Sequence, residues 1–505
     1  MITQLNRKWW VLGSLVFALL AVGLDMTVLN VALPTLATDL SASTSQLQWI
    51  VDAYNLVLAA VLLPAGMLGD RYGRKKLLLA ALVLFGAASA ACAFSDSPSA
   101  LIGMRALLGL AAAFLIPLSM AILPVLFKPE ERTKAMMVWA MANMLGIPLG
   151  PIIGGWLLQH YAWGSVFLLN LPLVAIGFAA ILLLMPESRS EAPRRIDPAG
   201  ILLSSVGLTA VTYGVIRAGE HGWSDAWSAA ALAAGAILLA AFILWQRNNP
   251  NSLIDLALFR SRRFTWGTIL ATAVTFAIFG LLFAMPQYFQ AVKGTDSLDT
   301  GLRLLPLIGG LIVGAKAAGS LLNRAGAKVT AAVGFAVMAA ALSAGTFTTA
   351  DSGFGFAALW MTAAGIGLGL AMPTSMDAAL GELTAERSGI GSALIMALRQ
   401  VGGSFGVALL GAALNAGYRS GLELSGLPPE AAEQVRQSAA AGIAVGRRLA
   451  SETLLASVQQ SFVQGMSGML WICGAIAAAG MLLALLFLPG KQQAASAKSS
   501  AGHAL

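Results

Sequence analysis

The sequence predicts an all-α polytopic membrane protein with 14 transmembrane helices, arranged as two six-helix halves with an inserted pair between them. Three observations lead there. Of the 505 residues, 58% are apolar and only 11% charged, whereas ordinary soluble domains carry roughly 45–50% apolar and about 25% charged residues. The apolar residues fall in runs near the ~20 residues that a membrane helix needs, not in the ~10-residue alternation of barrel strands. A short loop pattern also occurs twice, 253 residues apart. This composition excludes a soluble enzyme, a disordered chain and a nucleic-acid binder.

In chain order, the apolar windows place spans at 10–33, 48–68, 77–94, 100–126, 134–158 and 165–185. The inserted pair follows at 198–217 and 227–246, then 264–287, 303–322, 328–348, 354–375, 389–414 and 466–488. The first run follows Arg7-Lys8, as a secretory signal would, but its length and Asp25 favour an uncleaved span. With a cytoplasmic N-terminus, 21 of the 31 Lys and Arg fall in cytoplasmic segments and seven outside; Arg105, Lys316 and Arg399 lie within spans. Basic residues concentrate in cytoplasmic loops, so both termini are placed there. The same asymmetry explains most of the net charge of +8 without an acidic partner. The organisation read from this is 1–190 as the first half, 191–262 as the linker region and 263–505 as the second half, with a long outer loop at 415–465. In that loop Pro428-Pro429-Glu430 and Ser451-Glu452 mark helix starts. The loop is read either as an outer helical hairpin or as a tolerated insertion.

The repeated pattern is Gly66-x3-Asp70-Arg71-x-Gly73-Arg74-Lys75. Adding 253 to Gly66, Arg71, Gly73 and Lys75 gives Gly319, Arg324, Gly326 and Lys328, and Asp70 maps onto Asn323. Four identities at one offset, each between the second and third spans of a half, argue for duplication. Parallel halves of this kind recur in transporters, with the substrate site near the midplane. Glycine permits the tight turn in the loop, and a carboxylate near a helix end binds backbone N–H and guanidinium donors. Gly66, Asp70, Arg71, Gly73 and Arg74 are therefore read as a latch on the cytoplasmic side.

Further motifs follow. The first span carries Leu24-Asp25-Met26-Thr27-Val28-Leu29-Asn30-Val31-Ala32-Leu33-Pro34, and the fourth carries Arg105-x3-Gly109. The fifth carries Gly146-Ile147-Pro148-Leu149-Gly150-Pro151-Ile152-Ile153-Gly154-Gly155. Glycines four apart share a face and permit close helix approach, and the prolines remove backbone donors and bend the helix. Trp163, Phe167, Asn170 and Pro172 precede or enter the sixth span. Taken together, and covering nearly the whole chain, these motifs resemble those of the major facilitator superfamily. More narrowly, they resemble those of the 14-helix drug:proton antiporters, which include quaternary-ammonium compound exporters.

The resemblance implies proton-coupled export of lipophilic drugs or cationic antiseptic-like compounds across the bacterial cytoplasmic membrane by alternating access. The fifth-span motif would then be a leak-proof, flexible seam. The implied partners are lipophilic small molecules, protons and membrane lipids, with a working monomer. The energy source is the proton gradient and no cofactor is expected. Cys92 and Cys473 lie in apolar runs and His160, His221 and His503 are scattered, so neither a metal site nor a catalytic cluster is expected. No Walker-type loop occurs. Alternative readings are export of an endogenous lipid, fatty acid or antibiotic, a nutrient:proton symporter, and a non-transporting membrane sensor.

A charge near the bilayer centre costs roughly 2.5–3.5 kcal/mol on insertion scales and defaults to function. Asp25, Asp52 and Arg105 all belong to the outward part of the first half. Burial disfavours a carboxylate's charge and a nearby Arg favours it. Asp25 is thus the expected proton carrier, Arg105 its modulator, and Asp52 an outer relay or cation contact. The second half departs from the cation-exporter pattern, carrying Lys316 and Arg399 where several such exporters have acids. Lys316 is read as snorkelling. Candidate cavity residues are Met26, Asn30, Tyr54, Phe114, Met141, Asn143 and Arg399, because drug sites are mostly apolar and aromatic with few polar groups. Trp9, Trp10, Trp49 and Trp163 are read as interface anchors.

Overall fold

The computed structural model describes residues 4–127, 129–189, 197–249, 252–254, 256–381 and 385–488. Among these, the regular elements are helices. The first eight are α1 (Gln4–Asp39), α2 (Thr44–Tyr72), α3 (Arg74–Ala93), α4 (Pro98–Ala121), α5 (Leu123–Leu126), α6 (Pro129–His160), α7 (Ser165–Leu168) and α8 (Asn170–Leu184). Next come α9 (Pro198–His221), α10 (Ala226–Asn248), α11 (Arg262–Gln287), α12 (Ser297–Arg303), α13 (Leu305–Gly345) and α14 (Phe354–Leu380). The last are α15 (Ala385–Gly421), α16 (Pro429–Gln437), α17 (Ala439–Arg448) and α18 (Glu452–Phe487).

Local chemistry sets the helix ends. Ser43 and Gln46 form a reciprocal capping box at α2, which satisfies two otherwise orphaned N–H groups. Ser97 caps α4 and Pro98 occupies its first turn, where a missing N–H costs nothing. Gly73, at φ 108°, separates α2 from α3, and Gly326, at φ 82°, bends α13. The offset that relates the two loops in sequence therefore relates two left-handed glycines in structure, a conformation that side chains disfavour.

Twelve segments among the described residues are long and apolar enough to cross a bilayer. One, Ser297–Gly345, spans 49 residues and folds at Gly326, so it supplies two of the expected spans. The 32-residue α6 coincides with the expected fifth. These bring the architecture to the 14 spans of the sequence reading.

The chain forms two compact units. Unit 1 comprises Met1–Ile254, Met285–Leu302 and Glu423–Val458; unit 2 comprises Asp255–Ala284, Arg303–Leu422 and Gln459–Leu505. In unit 1, α1 packs on α6 and α8, α2 on α4, and the pair α9–α10 joins through α2. Only 11% of the apolar window of α10 is buried, so most of this helix meets lipid. In unit 2, α13 and α14 pack closely, with Gly310 and Gly314 set against the backbone of Thr362 and Ile366. Outward-facing Leu183, Ile237, Leu359 and Leu486 are exposed, as expected of surfaces solvated by acyl chains.

The outer loop holds two short helices, α16 and α17, and Thr44 Oγ1 donates to the Gln437 carbonyl at 3.0 Å. The second short helix of the loop starts at Ala439. Ser451-Glu452 starts α18, where Ser451 Oγ accepts from Leu454 N at 3.2 Å. The polar Gln459-Gln460-Ser461 stretch kept the first part of α18 out of the 466–488 window, although the helix is continuous from Glu452.

The α9–α10 pair is fastened by one carboxylate. Asp197 accepts from Gly200 N (3.0 Å), Trp245 Nε1 (2.9 Å) and Gln246 Nε2 (2.7 Å). Burial opposes its charge, but the hydrogen bonds from Gly200, Trp245, Gln246 and Asn249 outweigh it and hold the carboxyl below its ordinary value. At the outer end Asp225 is lowered to about 2, first by the hydrogen bond from Arg217 and next by the Ser228 backbone. Asp197→Ala should destabilise the protein by about 1–2 kcal/mol. Cys92 and Cys473 are free and buried, so a thiol-reactive dye reports unfolding directly. Because the folded-state value of Asp197 is depressed, its contribution is complete above the ~3.9 of a free Asp. It is lost as pH falls through the folded value. Melting curves of wild type and Asp197→Ala should therefore converge in acid; a constant gap down to pH 3 would contradict this account.

Candidate functional site

Asp25 on α1 is 3% exposed and Arg105 on α4 1% exposed. Arg105 Nη1 donates to Asp25 Oδ2 at 2.5 Å, and Nε donates to the Ile50 carbonyl on α2 at 3.1 Å. The Tyr54 ring lies 4.4 Å from the guanidinium carbon, a cation–π geometry. Asn170 Nδ2, at the start of α8, donates to Asp25 Oδ1 at 3.2 Å and to Ser89 Oγ on α3 at 2.9 Å. Ser89 Oγ donates in turn to the Phe167 carbonyl at 2.8 Å. One carboxylate thus links five helices of unit 1. Gly109 allows this convergence, because a Cβ there would strike the Tyr54 backbone.

Arg105 and Asp25 were legible as intramembrane charges. Asn170 was legible only as part of the sixth-span pattern, and Ser89 was not found, since uncharged polar residues give no hydropathy alarm. Tyr54, expected on a cavity wall, is fully enclosed with its ring against Arg105. Asp52 is also fully buried on α2, which leaves it no surface from which to meet a cation in this conformation.

The α6 motif packs on α1. A Cβ at Gly146 would fall 2.7 Å from Gly23 Cα, one at Gly150 2.8 Å from Thr27 Cβ, and one at Gly154 3.4 Å from Val28 Cα. Thr27 Oγ1 reaches the Gly146 carbonyl at 2.8 Å. Pro151 and Gly155 meet Gly301 and Leu298 of α12; the side chains of Pro148, Met141 and Asn143 lie outside the described residues. Met26 and Phe114 are half-buried. Asn30 is buried, and its Nδ2 donates to the Met26 carbonyl at 3.1 Å. In unit 2, Arg399 is half-buried and its Nε donates to Thr275 Oγ1 at 3.1 Å. Lys316 is exposed on α13 beside exposed Ile312 and Val313, consistent with a stem along lipid.

In the cytoplasmic loop, Arg74 Nε and Nη2 donate to Asp70 Oδ1 at 3.0 and 2.7 Å. Gly66 lies against Pro117 of α4, and Arg71 is exposed, with its guanidinium 5.5 Å from the Tyr72 ring. The carboxylate at the α3 N-terminus is not Asp70 but Glu187, whose oxygens accept from Lys75 N at 3.0 Å and Lys76 N at 3.2 Å. Helix N-termini attract anions in this way. A Cβ on Gly73 would lie 3.0 Å from the Glu187 carboxyl. Gly73→Ala should therefore cost about 1–2 kcal/mol for its positive φ, measurable as a lower thiol-dye melting midpoint. Glu187→Ala should cost less, since it leaves the backbone relaxed.

This fold and buried charge centre define a polytopic transporter. A model of the Major Facilitator Superfamily matches residues 15–407, and the chain belongs to that superfamily. It is a multi-pass membrane protein and not an enzyme, and its relatives are bacterial, in keeping with the cytoplasmic membrane. It is 34% identical to the tetracenomycin C resistance and export protein of Streptomyces glaucescens, over 95% of this chain and 91% of that one. It is equally 34% identical to the multidrug efflux pump LfrA of Mycolicibacterium smegmatis, over 92% of each chain. A third relative, the methyl viologen resistance protein SmvA of Salmonella typhimurium, is 34% identical over 87% of this chain and 89% of that one. In fold, the chain is similar to a bacterial homolog of the human lysosomal transporter Spinster, in its inward-facing and occupied conformation. The TM-score is 0.69 at 18% identity, covering 95% of this chain and 97% of that one.

Proposed function

We propose that this protein exports lipophilic small molecules by alternating access, driven by protons that load and leave Asp25. The observation that carries the reading is the sealed Asp25–Arg105 pair, held by Asn170 and Tyr54 at the junction of five helices. Protonating Asp25 neutralises one side of the pair and weakens the charge-assisted hydrogen bond that ties α1 to α4. Arg105 keeps the Ile50 carbonyl and the Tyr54 ring, so α4 stays with α2 while α1 is released. A proton is thereby converted into a change in helix packing, as a coupled exporter requires. The efflux functions of the relatives support a drug-like cargo. On this reading the working unit is a monomer and the latch residues hold the cytoplasmic side. Reconstitution into liposomes with an imposed pH gradient tests it. Ethidium should move against the proton flow and reverse when the gradient is reversed. No gradient-dependent movement in correctly oriented, folded protein would reject the proposal.

A further inference from the structure

We propose that Arg399 in unit 2 is an oxyanion site for the cargo, so that the protein binds aromatic compounds bearing a carboxylate, sulfonate or phenolate. The inference rests on the exporter reading for its biological sense, but its chemistry is independent. Arg399 lies within α15, ~21 Å along the helix from Ala385 and ~33 Å from Gly421 at 1.5 Å per residue, which is membrane depth. A guanidinium has five N–H donors. Nε is used by Thr275 Oγ1, whose own proton goes to the Ala271 carbonyl at 3.0 Å. The four donors on Nη1 and Nη2 have no acceptor among the described residues. The described acids of unit 2, Asp351 and Asp377, are both exposed, and neither pairs with Arg399. An intramembrane cation left in this state is costly and calls for a partner.

The surroundings say which partner. Leu398, Arg399, Gln400 and Val401 are all half-buried, between the buried Ala397 and the buried Gly402 and Gly403. Arg399 is therefore neither exposed nor fully packed, with four guanidinium donors left for an acceptor. Gly402 and Gly403 let α11 approach closely, against Thr272 and Phe279. Thr272, Thr275 and Phe279 follow one another at helical spacing, which puts an aromatic ring against Gly403, one turn along from the Thr275 that holds the cation. A planar aromatic body on Phe279 with its oxyanion on Nη1 and Nη2 satisfies both. A guanidinium's planar fork suits paired oxygens, which a lysine cannot reproduce. A permanent cation gains no contact from this group and has to bind without it.

The test uses two probes of matched shape and opposite charge, 2-naphthoate and 2-naphthyl-trimethylammonium. Binding to purified full-length protein is measured by isothermal titration with no pH gradient. Wild type should bind the naphthoate more tightly. Arg399→Gln should weaken naphthoate binding roughly 10- to 100-fold, the range for hydrogen bonds to a charged group, and leave the ammonium probe no weaker. Should that variant fail to fold, Arg399→Lys keeps the charge and should still lose several-fold for naphthoate alone. Equal affinity of wild type for both probes, or no binding of either, overturns the proposal. So does a parallel loss of both probes in Arg399→Gln and Thr275→Val, which would mark Arg399 as a seam residue. A protein that binds naphthoate selectively yet moves nothing under a gradient would reject the exporter reading and leave this site standing.

Discussion

Asp25→Asn is expected to reduce pH-driven transport at least tenfold, to the level of empty liposomes, while the protein still inserts and folds. The amide is isosteric with the carboxylate, so its remaining oxygen can still accept from Arg105. Its new N–H group would face Asn170 Nδ2, a donor against a donor. Asn170 Oδ1 is buried and has no hydrogen-bond partner among the described residues, so rotating that amide supplies an acceptor. What the substitution removes is the charge and the exchangeable proton. Arg105 becomes a buried cation without its counter-ion, and breaking a buried pair from one side costs roughly 3–5 kcal/mol. The hydrogen bonds left by the isosteric amide put this variant at the low end. Exchange of ethidium across the membrane without a gradient should persist within a few-fold of wild type. Arg105→Leu alone should be the least stable variant, and the combination with Asp25→Asn should recover part of the loss, since the two residues share one interaction. Full pH-driven accumulation in Asp25→Asn would remove Asp25 from the coupling path.

The parts of this site that sequence reading reached were those where one residue breaks a strong local pattern. A carboxylate or guanidinium in an apolar run is costly enough to be read without neighbours, and so Asp25 and Arg105 stood out. Glycines at spacing four were readable because they imply a bare helix face whatever packs on it. The rest depended on contacts between distant segments. Asn170 reaches Asp25 across 145 positions, and Glu187 caps α3 from 111 to 112 positions away. Neither has a signature in its own neighbourhood. Tyr54 was ambiguous for the same reason, because an aromatic residue beside a drug and one beside a buried guanidinium look alike in one dimension. The fold was legible where apolarity was continuous. It blurred at α18, where the helix is continuous through the polar Gln459-Gln460-Ser461 stretch.

Gly146→Leu is expected to abolish transport and to lower stability by more than the ~1–3 kcal/mol typical of an overpacked site. Gly146 and Gly23 face each other with no side chain between them, so even a methyl group meets backbone on α1. Backbone cannot rotate away as a flexible side chain can, and α1 and α6 must therefore separate. That separation also breaks the hydrogen bond from Thr27 Oγ1 to the Gly146 carbonyl. It displaces the stretch of α1 that carries Asp25, which lies between Gly23 and Thr27. Packing failure and coupling failure should thus appear together. Gly146→Ala should show both to a lesser degree. Gly103→Ala provides the control, because a Cβ there meets nothing within 4 Å; it should be neutral or stabilising by about 0.5–1 kcal/mol. Thiol-dye melting reports stability, and the decay of a pH gradient in liposomes without substrate reports leakage. The opened seam should speed that decay in Gly146→Leu and not in Gly103→Ala. If Gly146→Ala and Gly103→Ala behave alike in both measurements, the glycines of α6 do not form the tight contact on which this account of coupling depends.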